Sequence, residues 1–303
     1  MSHEKILEII HLQKNFGKFK ALKDINFSIS KGEIFGFIGP NGAGKSTTIR
    51  ILLGILRKSG GQAKIFGKEV FENSQYINKR IAYVPGDVYL WPNLSGGELI
   101  DYLLKLRGAV HTHETDRLIK LFELDPTKKA GTYSKGNRQK VAIIAALAAN
   151  ADFFIFDEPT SGLDPLNEIR FQDELMRLKD AGKSILLSSH ILSEVEKLAD
   201  HVAIIREGEI VEMGSLDSLH KFTTTNVLVK TAMPFQHFNK LNTITNLEEL
   251  SPNKVTFSID NEEIDKLISV LHGEKVELLE ITKPKLEEIF MKYYGDHNGR
   301  SEF

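Results

Sequence analysis

Hydrophobic and polar positions change period several times along this chain, and each change marks an element. Residues from Ile6 to about Gly67 read as several short strands, with near-alternation in Leu22-Lys23-Asp24-Ile25-Asn26-Phe27-Ser28-Ile29 predicting one buried face. Ile34-Phe35-Gly36-Phe37-Ile38 is strand-like and Thr48 to Leu56 helix-like, while Ile81-Ala82-Tyr83-Val84 predicts a further strand ending at Pro85. From Gly97 to Ala149 the period turns helical. Leu99, Tyr102, Leu103 and Leu106 are placed on one face of the first inserted helix, and Leu118, Leu121 and Phe122 on one face of the next.

Phe153-Phe154-Ile155-Phe156 is a continuous apolar run of strand length, as expected of a strand buried on both faces. A helix from about Leu166 to Lys179, a strand Ser184 to His190 with a polar tip, another helix and a hairpin at Arg206-Glu207-Gly208 follow. This alternation predicts a mainly parallel sheet with ligands beyond its carboxyl edge, where Asp157 and His190 fall. Near Phe222 to Asn226 the pattern changes again. Val255 to Ile259 alternates, Ile264 to Leu271 and Leu286 to Tyr294 are helix-like, and no phosphate loop appears, so this part reads as a small α+β domain.

Composition narrows the possibilities. With 303 residues, 41% hydrophobic and 26% charged, the chain suits one full α/β domain plus a smaller one. A balance of 39 Lys+Arg against 41 Asp+Glu gives no general case for nucleic acid or an anionic membrane surface. There are no cysteines, which removes disulfides, thiolate metal sites and thiol nucleophiles and fits a reducing compartment. The N-terminus lacks the apolar core of a secretory signal, and the longest apolar stretch, Val141 to Ala149, is far short of the ~20 residues that cross a bilayer. A membrane role therefore requires another polypeptide to supply the span.

The chemistry lies at Gly39-Pro40-Asn41-Gly42-Ala43-Gly44-Lys45-Ser46-Thr47, which fills the P-loop pattern G-x-x-x-x-G-K-[ST] between a strand and a helix. Glycines let backbone N–H groups turn toward phosphates, and the helix N-terminus adds its positive dipole end. Gly39, Asn41, Gly42, Gly44, Lys45, Ser46 and Thr47 are thus expected to hold a nucleoside triphosphate. Lys45 reaches the β- and γ-phosphates, and Ser46 offers its hydroxyl to Mg²⁺. Asp157, closing the hydrophobic strand, supplies the second Mg²⁺ ligand. Glu158 is placed to orient and deprotonate the attacking water.

These blocks, with Ser134-Lys135-Gly136-Asn137-Arg138-Gln139, Phe156-Asp157-Glu158-Pro159-Thr160, Ser161-Gly162-Leu163-Asp164 and His190 in that order, resemble the nucleotide-binding subunit of an ATP-binding cassette (ABC) transporter from roughly Ile6 to Lys221. The resemblance implies a P-loop NTPase of ABC-ATPase type, with a mainly parallel sheet, an antiparallel β layer and a helical insert at about 95–150. The cassette spans 1–221, and a small C-terminal α+β domain occupies 222–303. Ser134 and Gly136 correspond to the signature that binds the γ-phosphate held by an opposite subunit, and Asp164 to the loop between the two sites. His190 corresponds to the γ-phosphate sensor, catalytic together with Glu158 and Lys45. Phe16 matches the aromatic that stacks on adenine, although Phe19 is close by and a core role is open to either.

Ile281-Thr282-Lys283-Pro284-Lys285-Leu286-Glu287-Glu288-Ile289-Phe290 resembles the closing motif of exporter-type ATPases, drug-resistance systems among them, whose transmembrane subunit is a separate polypeptide. The resemblance therefore implies an ATPase working as a cassette dimer around two ATP molecules, most simply a homodimer, at the cytoplasmic face of a membrane. Its partner is a polytopic permease, and no nucleic acid is expected. The rival reading is a soluble ABC ATPase acting on ribosomes or DNA, against which stands the lack of a fused second cassette, coiled coil or zinc module.

Some residues depart from the pattern or imitate it. Lys135 and Asn137 stand where Gly and Gln are commoner in the signature. The loop after Ile81 to Val84 reads Pro85-Gly86-Asp87, so Gly86 replaces a Gln or Glu and leaves a Mg²⁺ position to water or to Asp87. Leu94-Ser95-Gly96-Gly97-Glu98 imitates a signature but precedes the helical insert, so Ser95 is assigned as a helix N-cap. His111 and His113 lack flanking partners at ligand spacing and are assigned to a solvated loop.

Overall fold

The computed structural model of the chain describes residues 4–221, 225–233, 241, 243–272 and 274–282. Strands β1 (Lys5–Phe16) and β2 (Phe19–Ser30) form an antiparallel hairpin, extended by β4 (Gly60–Ile65) and β5 (Lys68–Glu69). Leu22, Ile25, Phe27 and Ile29 are buried on β2. The three-residue step from Leu22 to Ile25 is absorbed by a bulge, because Leu12 pairs with Ile25 but Lys14 with Leu22.

The apolar runs become the parallel strands. β3 (Ile34–Ile38), β7 (Phe153–Asp157) and β8 (Ser184–Ser189) are buried at every position, as strands covered on both faces must be. With β6 (Ile81–Val84) and β9 (His201–Arg206) they run in the order β9-β3-β8-β7-β6. β10 (Glu209–Ser215) turns back from β9 through Glu207 and Gly208, both at positive φ, and joins the antiparallel layer where Glu209 pairs with Asp24. One ten-stranded sheet results. Its apolar cluster combines Leu7, Ile9 and Phe27 of the hairpin, Ile49 and Leu52 of α1 (Lys45–Leu52), and Phe35, Phe153 and Leu186 of the parallel strands. Burying each such side chain contributes about 1.5–3 kcal/mol.

After α2 (Ser74–Asn78), the helical insert consists of α3 (Gly96–Leu106), α4 (His113–Leu121) and α5 (Lys135–Leu147). Ser95 caps α3 in a reciprocal box with Glu98, as its sequence position suggested. The buried face of α3 differs from the expected one. Leu99, Ile100 and Leu104 face inward, while Tyr102 and Leu106 are exposed, because α3 packs on α5 through a face rotated from that reading. The apolar run beginning at Val141 forms most of α5, a helix buried on nearly every side rather than along one stripe. Among the described residues no helix is long and apolar enough to cross a membrane.

The remaining helices of the first part, α6 (Pro165–Asp180) and α7 (Leu192–Leu198), precede β8 and β9. The helix expected over Thr48 to Leu56 starts and stops earlier, since the P-loop itself forms its first turn. The chain clusters into two compact units, Met1–Met213 and Gly214–Phe303. In the second, α8 (Leu216–Lys221) precedes an antiparallel sheet ordered β12-β13-β11-β14, formed by β11 (Thr225–Thr231), β12 (Thr245–Ser251), β13 (Lys254–Ile259) and β14 (Val276–Thr282). Helix α9 (Ile264–Leu271) adds Leu267 and Leu271 to a core of Val227, Val229, Val255, Phe257 and Ile259. The helix expected at Leu286 to Tyr294, and the closing motif beyond Thr282, lie outside the described residues.

Candidate functional site

The carboxyl ends of β3, β8, β7 and β6 deliver the P-loop, the Ser188-to-His190 tip, the Asp157-Glu158 pair and the Pro85-to-Asp87 loop to one edge of the sheet. Gly44 shows why the loop takes this form. Its φ is +118°, and a Cβ would lie 2.7 Å from Leu22 and 3.1 Å from Ile205, so only glycine turns the loop into α1 there. Lys45, 4% exposed, donates to the carbonyl oxygens of Gly39 at 2.5 Å and Pro40 at 3.2 Å, and its Nζ lies 3.5 Å from Glu158 Oε1. Thr48 turns inward and donates to Gly44 O at 3.0 Å.

Asp157 is buried and accepts from Ser188 Oγ at 2.9 Å and from Ser46. Burial pushes its carboxyl above the usual carboxylate range; the hydrogen bonds from Ser188 and Ser46 and the Lys45 charge oppose that rise, and Glu158 adds to it. A desolvated carboxylate touching the Ser46 hydroxyl at a P-loop is an all-oxygen donor set suited to Mg²⁺. Ser46 and Asp157 would hold the ion, which supplies charge compensation to the phosphates.

Glu158 stands at φ +50°, a left-handed conformation that costs a glutamate about 1–2 kcal/mol. Its amide is held by Ser188 O at 2.8 Å, and the turn aims its carboxylate between Lys45 and His190: Oε1 toward Lys45 Nζ, and Oε2 at 3.2 Å from His190 Nδ1. His190 follows the tip of β8, where Ser189 Oγ accepts from the Ile191 amide and donates to the buried Glu194, bracing the segment. Lys45 and His190, far apart in sequence, thus meet around one carboxylate.

A polar cleft of about 520 Å³ opens here, lined by Asn41, Ser46, Asp157, Glu158, Gly86 and Asp87 among others. Arg50 and Tyr83 also line it, and neither was singled out from the sequence. The signal for Arg50 was its spacing, since Ser46 and Arg50 at i, i+4 share one face of α1. Tyr83 carried no such signal; burial and the nearby Asp157 push its hydroxyl up to about 12. A Cβ at Gly86 would lie 3.1 Å from Asp157 O, so this loop touches the acidic pair through backbone, and Asp87 lies 3.5 Å from Lys135 Nζ.

Ser134 N-caps α5, accepting from the Asn137 amide at 3.2 Å, and does not line the cleft. Gly136 is fixed by close approach, because a Cβ would meet Gly162 O at 2.3 Å. Lys135 ties the same turn to Ser161 Oγ at 2.8 Å. Asp164 caps α6 by accepting from the Asn167 amide at 3.0 Å, and this side chain and backbone of Asn167 hold its carboxyl below the usual range. Phe16 and Phe19 pair across the hairpin end and are both exposed, which removes the core role for either. Lys14 Nζ stands 4.8 Å from the Phe16 ring centroid.

His111 corrects one expectation. It has acidic partners after all, Asp101 at 2.6 Å from Nδ1 and Asp116 at 3.0 Å from Nε2, joining α3 to the first turns of α4. Their spacing hid them, since Asp101 lies ten residues back on another helix. Hydrogen bonds to both carboxylates raise its pKa above the ordinary histidine value. Among the described residues no group of three or more His, Asp or Glu could hold a metal ion in the manner of a preformed side-chain cluster.

Comparison with known proteins identifies the family. A family model described as ABC transporter matches residues 22–161. YhaQ of Bacillus subtilis, an uncharacterized ABC transporter ATP-binding protein, is 31% identical over 298 residues, covering 96% of this chain and 99% of that one. BcrA of Bacillus licheniformis, a bacitracin transport ATP-binding protein, is 37% identical over 219 residues, 71% of this chain and 72% of its own. A solved ATP-binding subunit of an ABC transporter superposes with a TM-score of 0.66 at 31% identity, over 71% of this chain and 92% of that one. The chain belongs to the ABC transporter family as an ATP-binding subunit, an ATPase whose fold is the cassette.

Proposed function

We propose that this subunit powers an exporter, pairing cassettes around two ATP molecules and driving a separate transmembrane permease from the cytoplasmic face of the membrane. The observation that carries the shared-site part is the placement of the signature. Ser134 is exposed at the start of α5 and Asp164 at the start of α6, and neither lines the cleft formed by Ser46, Asp157 and Glu158, although their neighbours Lys135 and Ser161 do. A P-loop on one chain and Ser134 and Gly136 on another complete a site between them. Within it, the P-loop amides and Lys45 hold the phosphates, Phe16 offers a stacking face, Ser46 and Asp157 hold Mg²⁺, Glu158 takes the proton from water, and His190 senses the γ-phosphate.

Export is supported by the likeness to BcrA, whose name assigns it to bacitracin transport. A permease needs a seat that feels the nucleotide, and an apolar groove of about 340 Å³ between α3 and α5 offers one. It is continuous with the cleft, because Tyr83, Pro85 and Tyr89 line both. The test is isolation of the full chain from membranes of its native host. A polytopic polypeptide should co-purify in stoichiometric amount and stimulate ATP hydrolysis. Recovery with ribosomes or DNA instead would overturn the exporter reading.

A further inference from the structure

Two departures from the family pattern meet in space. Lys135 stands where the signature more often has glycine, and Asp87 follows the glycine that replaces Gln or Glu in the loop after β6. Lys135 Nζ lies 3.5 Å from Asp87 Oδ1 and donates to Ser161 Oγ at 2.8 Å. The stem of Lys135 runs across Gly162, where a Cβ would lie 3.2 Å from its Cγ and 3.3 Å from its Cδ, and where φ is +86°. Only glycine suits that turn and leaves room for the stem. Lys135, Asp87 and Ser161 all line the cleft that Ser46, Asp157 and Glu158 line, so the lysine brings a positive charge to the nucleotide site that a glycine at 135 would not.

The ion pair is a weak one. The side chains of Lys135 and Asp87 are 51% and 74% exposed, and a pair as wet as this shifts an equilibrium by at most about fivefold. A triphosphate carries more negative charge and presents several acceptor oxygens, so it competes well for the same ammonium. The loop after β6 approaches Asp157 at the backbone of Gly86, whereas the Asp87 carboxylate faces Lys135. We propose that Lys135 is a further nucleotide-binding residue, whose ammonium moves from Asp87 to the terminal phosphate of bound ATP, and that Asp87 holds that ammonium ready rather than serving Mg²⁺. The phosphate is the one on the chain's own P-loop, whose cleft Lys135 lines, or the one on an opposite cassette, as proposed for the flanking Ser134 and Gly136. Only the second case rests on the shared-site reading above.

The experiment compares ADP with AMP-PNP, an ATP analogue that is not hydrolysed, by calorimetric titration of the full chain with Mg²⁺ present. Lys135→Ala should weaken AMP-PNP binding about tenfold and change ADP binding by less than about twofold, because only the terminal phosphate loses a charged donor. Lys135→Arg should keep most of the affinity. Asp87→Ala should tighten AMP-PNP binding by about two- to fivefold, since it frees the ammonium, and this gain should vanish once Lys135→Ala is added. Thermal melting checks folding, and Lys135→Gln replaces Lys135→Ala if that variant does not fold. A loss already present in dilute, monomeric protein assigns the contact to the chain's own nucleotide, and this holds even if no dimer ever forms and the shared-site reading fails. A loss seen only where size-exclusion chromatography shows a dimer assigns it to the opposite one. If Lys135→Ala weakens both nucleotides alike or neither, or if Asp87→Ala weakens AMP-PNP binding and raises the Mg²⁺ concentration required, as loss of a metal ligand would, the proposal is overturned.

Discussion

The two units of this chain each contain a sheet, but the sheets are built differently. In the first, β3, β7 and β8 are buried along their whole length, and Lys45, Asp157, Glu158 and His190 meet at their carboxyl edge. In the second, β11 alternates buried and half-buried positions and β12 is exposed along nearly its whole length. A strand buried on both faces concentrates chemistry at its tip. A strand with one open face presents a surface instead.

The sharpest way to break this contrast is at Glu158. Glu158→Gln should lower steady-state hydrolysis by about 10²–10⁴-fold while nucleotide binding persists, since it removes the base and leaves the P-loop. Size-exclusion chromatography with ATP should then show an accumulated dimer; a monomer that still hydrolyses near the wild-type rate would refute both the base and the shared site. Next in size is Gly136→Ala. Its Cβ would fall 2.3 Å from Gly162 O, and overpacking of that kind costs about 1–3 kcal/mol, so turnover should drop roughly tenfold with nucleotide binding at the P-loop retained. Equal loss of binding would show that the turn supports the chain's own cleft.

Removing most of the second unit tests the other side. Truncation after Lys221 should leave nucleotide binding in place, since the first unit has its own core, but make hydrolysis depend more steeply on protein concentration, by several-fold at low concentration. If the truncated chain assembles like the full one and the excised unit binds a small molecule, that unit is a regulatory sensor. The smallest effect concerns His111, whose raised pKa stabilises the fold fully below the ordinary value of 6.5 and progressively less as pH rises through the raised one. His111→Gln should therefore lower the melting temperature near about pH 6 and not near about pH 9, by an amount that screening keeps under about 1 kcal/mol. A pH-independent difference would mean that packing, not charge, joins α3 to α4.

Much of the first unit was legible because its signals are local. Gly39 to Thr47 needs only its own backbone geometry, and Phe153 to Phe156 announces its burial by composition. What escaped was rotation and partnership. Leu106 and Tyr102 were placed with Leu99 by period, yet the orientation of α3 is set by α5, forty residues away. His111 looked solitary because its carboxylates come from Asp101 on one helix and Asp116 on another. Arg50 and Tyr83 entered the cleft only when α1 and β6 were brought beside Asp157.

The sequence alone determined which strands are buried on both faces, where the phosphate loop turns, and that an acidic pair follows β7, since each depends on residues adjacent in the chain. Only the tertiary structure decided that Glu158 lies between Lys45 and His190, that Gly86 touches Asp157 through its backbone, and that Lys135 meets Asp87 and Ser161 beside the cleft. The physical reason is the same for all three. Distance between side chains on different elements depends on how the sheet is ordered and how helices rotate against it, and burial, not local sequence, sets both.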